Sequence, residues 1–111
     1  MPRSSFLLRQ LSFLTRLALF LPGAAGATSL QPDDVALLAG TCFNCHGTNG
    51  RSTTAIPGLH GQPEARLRTR MQDFRAGSTA GTTVMTRLMK GYDEVQIDAL
   101  ARWFAQAGDR P

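Results

Sequence analysis

The chain has 111 residues, enough for one small domain, and a formal net charge of +4. The first 27 positions hold three arginines and no acidic residue, so their removal would leave nine basic against eight acidic residues over the remaining 84. That near-neutral balance excludes the basic surface of a nucleic-acid-binding protein. A remainder of this length is small for a self-sufficient core, so a bound group is expected to supply part of the core.

Residues 1–27 are predicted to be a secretory leader cleaved after Ala27. An apolar run at 17–21 ends at Pro22, small residues follow, and the positive charge comes from Arg3, Arg9 and Arg16. A retained membrane anchor is the alternative, but a span needs about 20 apolar residues and this run is interrupted on both sides. We therefore expect residues 28–111 to form a periplasmic domain with no membrane span after cleavage.

The first helix of that domain is predicted to open at Pro32–Asp33–Asp34. Proline suits the first turn, and the two acids suit the positive end of the helix dipole. Val35, Leu38 and Ala39 form one apolar stripe, which continues to Gly40–Thr41 and the cysteine motif.

Cys42–Phe43–Asn44–Cys45–His46 reads C-x-x-C-H and contains both cysteines of the chain. Two intervening residues let both sulfurs reach the vinyl groups of one haem, and the adjacent histidine can ligate the iron. A disulfide is the usual reading for an exported protein, but the adjoining His46 argues against it. A zinc site would need neighbours Cys45 and His46 to share one metal, and thioredoxin-like chemistry needs a strand context that is missing. The motif predicts one covalent haem c with iron.

Residues 47–54 and 56–61 are predicted to be irregular. A second helix is predicted from Pro63 to Ala76, and Gly77 is expected to end it in a left-handed conformation. Its buried stripe is Leu67, Met71 and Phe74. Residues 78–83 are predicted to be loop, and residues 85–90 a short, partly helical bridge.

The last helix is predicted to begin at Asp93, which with Gln96 resembles a capping box, and to end at Gly108. Its inner face is expected to comprise four residues with Trp103 beside them: Ile97, Leu100, Ala101 and Phe104. No segment alternates apolar and polar residues convincingly, so the domain is predicted to be all-α.

Five possibilities exist for the sixth position of the iron: Met71, Met85, Met89, His60 or no protein ligand. Met71 lies on an apolar helix stripe, where methionine is more often core packing. His60 follows His46 by 14 residues and is expected on the same haem face, whereas Met89 lies one turn past Met85. Met85 follows a flexible loop that can reach the opposite face, so it is the preferred ligand. An open sixth position would instead indicate a haem enzyme or gas sensor.

From about Val35 to Gln106 the chain resembles the class I cytochromes c. Three segments carry the likeness: residues 42–50, 57–62 and 83–92. The resemblance implies three to four helices around one haem attached to Cys42 and Cys45, with His46 and Met85 on the iron. It also implies that Pro57 packs beside His46, its carbonyl accepting the hydrogen of the His46 Nδ1. A protein of this kind is an electron carrier and not an enzyme.

Residues 72–77 and 83–92 are most similar to the cytochrome subunit of flavocytochrome c sulfide dehydrogenase. That likeness implies electron transfer from a FAD-containing, sulfide-oxidising partner. A stand-alone carrier to a terminal oxidase or another reductase is the alternative. Many relatives have a glycine eight residues before the first haem cysteine, where this chain has Asp34. The crossing of the first and last helices is therefore expected to be shifted or looser, with Trp103 as its aromatic partner.

Four arginines of the second helix suggest a docking surface. Arg66 and Arg70 share one flank, and Arg68 and Arg75 share another. We expect either a positive rim that steers an acidic redox partner or an ordinary solvated helix face.

Overall fold

The computed structural model describes residues 29–81 and 84–109. The predicted leader, residues 1–27, and residues 82 and 83 of the loop before Met85 lie outside this part. The described residues form five α-helices and contain no strand, which confirms the all-α prediction. The helices are α1 (Pro32–Gly40), α2 (Phe43–His46), α3 (Glu64–Ala76), α4 (Val84–Leu88) and α5 (Glu94–Ala105). Short 3₁₀ turns occupy Thr48–Gly50, Met89–Gly91 and Gln106–Asp109.

The centre of the fold is the pairing of α3 with α5. The predicted inner face of α5 is correct in full, because Ile97, Leu100, Ala101 and Phe104 are all almost completely buried. From α3, Leu67 and Met71 are buried, and Phe74 is half-buried against the same cluster.

The ends of α3 and α5 follow from local sequence. Asp93 and Gln96 form the predicted capping box, in which each side chain accepts a hydrogen bond from the other residue's backbone amide. Gly77 ends α3 in the left-handed conformation that was predicted for it. The α-helix of α5 ends at Ala105, three residues before the expected Gly108, and continues as the last 3₁₀ turn.

Helix α1 contributes less to the core than its stripe predicts. Ala39 is buried and packs in the core, whereas Val35 and Leu38 are only half-buried and Leu37 is 76% exposed. Asp34 is exposed, and a groove with Val35 on one wall and Trp103 on the other runs between α1 and α5. The two helices are in contact along the rest of their crossing. The looser crossing expected from Asp34 stays a prediction.

Helix α2 lies within the cysteine motif, where no helix is predicted because four residues show no periodicity. The Phe43 ring centre lies 5.8 Å from that of Trp103 and 6.4 Å from that of Phe104. Trp103 and Phe104 meet edge to face at 4.9 Å. These aromatic contacts hold α2 against α5, so the short helix depends on tertiary packing.

No helix within residues 29–81 and 84–109 is long and apolar enough to cross a membrane.

Candidate functional site

Helix α2 brings the three chemically active residues of the C-x-x-C-H motif together. The His46 amide donates to the Cys42 carbonyl oxygen over 2.9 Å, which closes one helical turn around the motif. Cys42 is half-buried, Cys45 is exposed, and neither is in a disulfide. Burial raises the pKa of the Cys42 thiol. Two thiols are therefore presented on one turn, as attachment to a single porphyrin edge requires.

His46 is held in one orientation by the backbone of Pro57. Its Nδ1 lies 2.6 Å from the Pro57 carbonyl oxygen, and His46 is only 8% exposed. A carbonyl can only accept, so Nδ1 is the donor and carries the hydrogen. In the neutral ring Nε2 then keeps its lone pair, and the described residues give it no hydrogen-bond partner. A histidine oriented by a carbonyl in this way can bind a metal through Nε2.

Residues 47–61 form a closed loop that carries Pro57 back to His46. Gly50 accepts hydrogen bonds from the amides of Leu59 (2.8 Å) and His60 (3.2 Å) at its carbonyl oxygen. The Gly61 amide donates to the Phe104 carbonyl oxygen over 3.0 Å, which joins the end of the loop to α5. The first part of this stretch was predicted to be irregular, but it contains the 3₁₀ turn Thr48–Gly50, with Asn49 at φ 55°.

The candidates for the sixth ligand differ in what their side chains already contact. Met71 and Met89 are both buried within the core cluster, Met89 being only 4% exposed. Met85 lies on α4, is half-buried and packs at the edge of that cluster. His60 is also half-buried, and its Nδ1 has no hydrogen-bond partner within the described part of the chain. Met85 and His60 are thus the two candidates whose side chains are only half-buried and not part of the packed core.

The residues around these ligands suit a large apolar group. Ile56 precedes Pro57, and Val84 and Leu88 lie on either side of Met85; all three are 39–60% exposed. These exposed apolar side chains adjoin Pro57 and Met85 in sequence, and exposed apolar side chains of this kind could form the walls of a haem pocket. The described residues contain no group of three or more His, Cys, Asp or Glu side chains that could hold a metal ion.

The four arginines of α3 separate into two pairs, as their spacing indicates. Arg68 contacts Glu64 (2.5 Å) and Asp98 (2.6 Å), and these hydrogen bonds raise the pKa of its guanidinium. Arg75 forms an ion pair with Glu94. Arg66 and Arg70 are exposed and form no ion pair with the described residues, and Arg70 lies over the Phe74 ring at 5.0 Å. Arg66 and Arg70 are therefore the arginines of α3 that pair with no acidic side chain of the described residues.

Comparison with known proteins shows the family to which the chain belongs. The family model described as Cytochrome c matches residues 34–107. The cytochrome subunit of sulfide dehydrogenase from Chlorobaculum tepidum is 38% identical over 68 residues, which cover 61% of each chain. Cytochrome c-554(548) from Halomonas halodenitrificans is 32% identical over 69 residues, covering 60% of this chain and 83% of that protein.

The matched region contains the cysteine motif, the Pro57 loop, and helices α3, α4 and α5. The chain therefore belongs to the cytochrome c family: it is a class I monohaem cytochrome, an electron carrier with one covalently bound haem c.

Proposed function

We propose that this cytochrome carries single electrons in the periplasm through a haem attached to Cys42 and Cys45, with His46 and Met85 on its iron. The observation that carries this proposal is the 2.6 Å contact between the His46 Nδ1 and the Pro57 carbonyl oxygen, because it leaves the Nε2 lone pair available to bind iron. When bound, the haem supplies an iron that changes by one electron, and a thioether ligand raises its potential.

The choice of Met85 is supported by the positions of the other candidates. Met71 and Met89 both fill the packed core cluster. If either side chain left the core to ligate the iron, it would leave a cavity behind. His60 belongs to the same closed loop as Pro57, the residue that holds His46, which favours its placement on the His46 side of the haem. Met85 lies on a different element, α4, which the chain reaches only after α3.

Variants of the two methionines test this assignment. Met85→Ala is expected to abolish the weak far-red band of ferric methionine-ligated haem and to lower the reduction potential. Met89→Leu keeps the volume of the core residue and is the matched control, so its spectrum should equal that of the parent. A band that survives in Met85→Ala and disappears in Met89→Leu would assign the sixth position to Met89 instead.

We further propose a FAD-containing, sulfide-oxidising flavoprotein as the electron donor. The 38% identity to the Chlorobaculum cytochrome subunit supports this partner, although the chain spans only 61% of that relative's length. The Halomonas cytochrome, of which the chain covers 83%, favours a second candidate, a stand-alone carrier to a terminal oxidase or reductase.

The rate of reduction by sulfide distinguishes a partner of the flavoprotein from a stand-alone carrier. The purified ferric cytochrome is mixed with sulfide, with and without a sulfide dehydrogenase flavoprotein, and reduction is followed by the ferrous haem bands. The flavoprotein is expected to accelerate reduction and to elute with the cytochrome as one complex. Equal rates with and without it, and separate elution, would leave the stand-alone carrier.

A further inference from the structure

Tyr92 connects the two parts of the chain that hold the proposed iron ligands. Its Oη lies 2.8 Å from the Thr41 Oγ1, across 51 residues of sequence. Thr41 directly precedes Cys42, and Tyr92 directly follows the 3₁₀ turn Met89–Gly91. The contact therefore joins the haem-attachment segment to the far end of the segment that carries Met85.

The direction of this hydrogen bond follows from the number of hydrogens available. The Thr41 Oγ1 also lies 2.7 Å from the Leu38 carbonyl oxygen, which can only accept. The single hydroxyl hydrogen of Thr41 is used there, so the Tyr92 hydroxyl donates to the Thr41 Oγ1. Only a donor at position 92 can make this bond, and phenylalanine there would keep the ring and lose it.

The segment that carries Met85, residues 84–92, is called here the methionine segment, and its end is held to the core. At its end, Met89 is buried and the Tyr92 amide donates to the Met89 carbonyl oxygen over 3.2 Å. Tyr92 itself is half-buried against the core. The helix α4 itself packs against α3, and Met85 packs at the edge of the core cluster. The Met89–Tyr92 end is the part of this segment that a side-chain hydrogen bond ties to the residue before Cys42.

We propose that Tyr92 is a positioning residue for Met85: its hydrogen bond to Thr41 holds the methionine segment at a fixed distance from the haem-attachment helix. This inference rests on the proposed function, because it requires that Met85 ligates the iron. Without the bond the segment moves away more readily, and an external ligand displaces the thioether more easily.

Imidazole titration of the ferric holoprotein measures that displacement. Tyr92→Phe is expected to bind imidazole about 2- to 10-fold more tightly than the parent, the factor that one net hydrogen bond represents. Thr41→Val should give a similar shift with no further gain in the double variant, and Thr41→Ser, which keeps the hydroxyl, should restore the parent affinity.

Gln72→Leu is the matched control. It removes a 2.9 Å hydrogen bond from Gln72 to Glu94, which joins α3 to α5 and does not touch the methionine segment. An unchanged imidazole affinity in Tyr92→Phe, or an equal shift in Gln72→Leu, would overturn the inference alone. A parent protein without the far-red methionine band would overturn the ligation by Met85 first, and the inference with it.

Discussion

At the scale of single residues, Gly50 shows how closely the loop of residues 47–61 packs on the core. Its φ is +75°, and a Cβ built there would lie 2.9 Å from the Phe104 Cδ1 and 3.0 Å from both the His60 amide nitrogen and the Leu59 Cβ. Gly61 has a similar φ of +66° but open space around the equivalent position. The two glycines share a backbone requirement and differ in packing.

Alanine substitution at these two positions separates the cost of the left-handed backbone from the cost of steric overlap at the Cβ. Gly61→Ala is expected to lower the free energy of unfolding by about 1 kcal/mol, the left-handed penalty alone. Gly50→Ala should cost about 2–4 kcal/mol, because overlap with Phe104 and the loop backbone is added. Urea unfolding followed by the fluorescence of Trp103, the only tryptophan, measures both. Equal losses would show that the loop has room beside Gly50.

At the scale of elements, α5 is the helix that organises the site. Its inner face forms the core, Trp103 and Phe104 hold α2 in place, and the Phe104 carbonyl accepts the hydrogen bond that ends the Pro57 loop. The capping box at Asp93 fixes where this helix begins, directly after Tyr92. The start of α5 therefore affects both the core and the methionine segment.

Loss of the capping box is expected to weaken the whole fold. Asp93→Ala should lower the free energy of unfolding by about 1 kcal/mol, since the Gln96 amide loses its acceptor. Asp33→Ala is the control, because no side chain caps α1. Urea unfolding of both variants gives the comparison, and a loss in Asp33→Ala as large as that in Asp93→Ala would contradict the role assigned to the cap.

The elements predictable from sequence are those with local signals. The capping box, Gly77 and the periodic stripe of α5 each depend on residues within a few positions of one another, and each prediction is confirmed. Helix α2 has no such signal, because Phe43 is ordered by aromatic rings some 60 residues away. Likewise, Arg68 and Arg66 look alike in sequence, and only the fold brings Asp98 to one of them. The candidate ligands show the same limit, since burial of Met89 and not of Met85 appears only in three dimensions.

At the scale of the whole molecule, charge is distributed unevenly although the total is small. Arg68 and Arg75 are paired with acids, whereas Arg66 and Arg70 on the other flank of α3 are not paired within the described residues. Long-range attraction to an acidic redox partner would therefore act through the Arg66 and Arg70 flank.

Neutralising that flank is expected to slow association with an acidic partner. Arg66→Gln or Arg70→Gln should lower the bimolecular electron-transfer rate about 2- to 5-fold at low ionic strength, with the difference disappearing at high salt. Arg102→Gln changes the net charge equally on the flank near Glu64 and is the matched control. Stopped-flow measurement of the electron-transfer rate across a salt series tests this prediction. An identical salt dependence in all three variants would show that the Arg66 and Arg70 flank is an ordinary solvated face.

The most direct test of the central claim is the mass of the tryptic peptide that ends at Arg51 and contains both cysteines, taken from mature protein of the native host. We predict that this peptide carries one covalent haem and that neither Cys42 nor Cys45 reacts with an alkylating reagent after denaturation. A peptide of unmodified mass whose two sulfurs both alkylate would contradict the account.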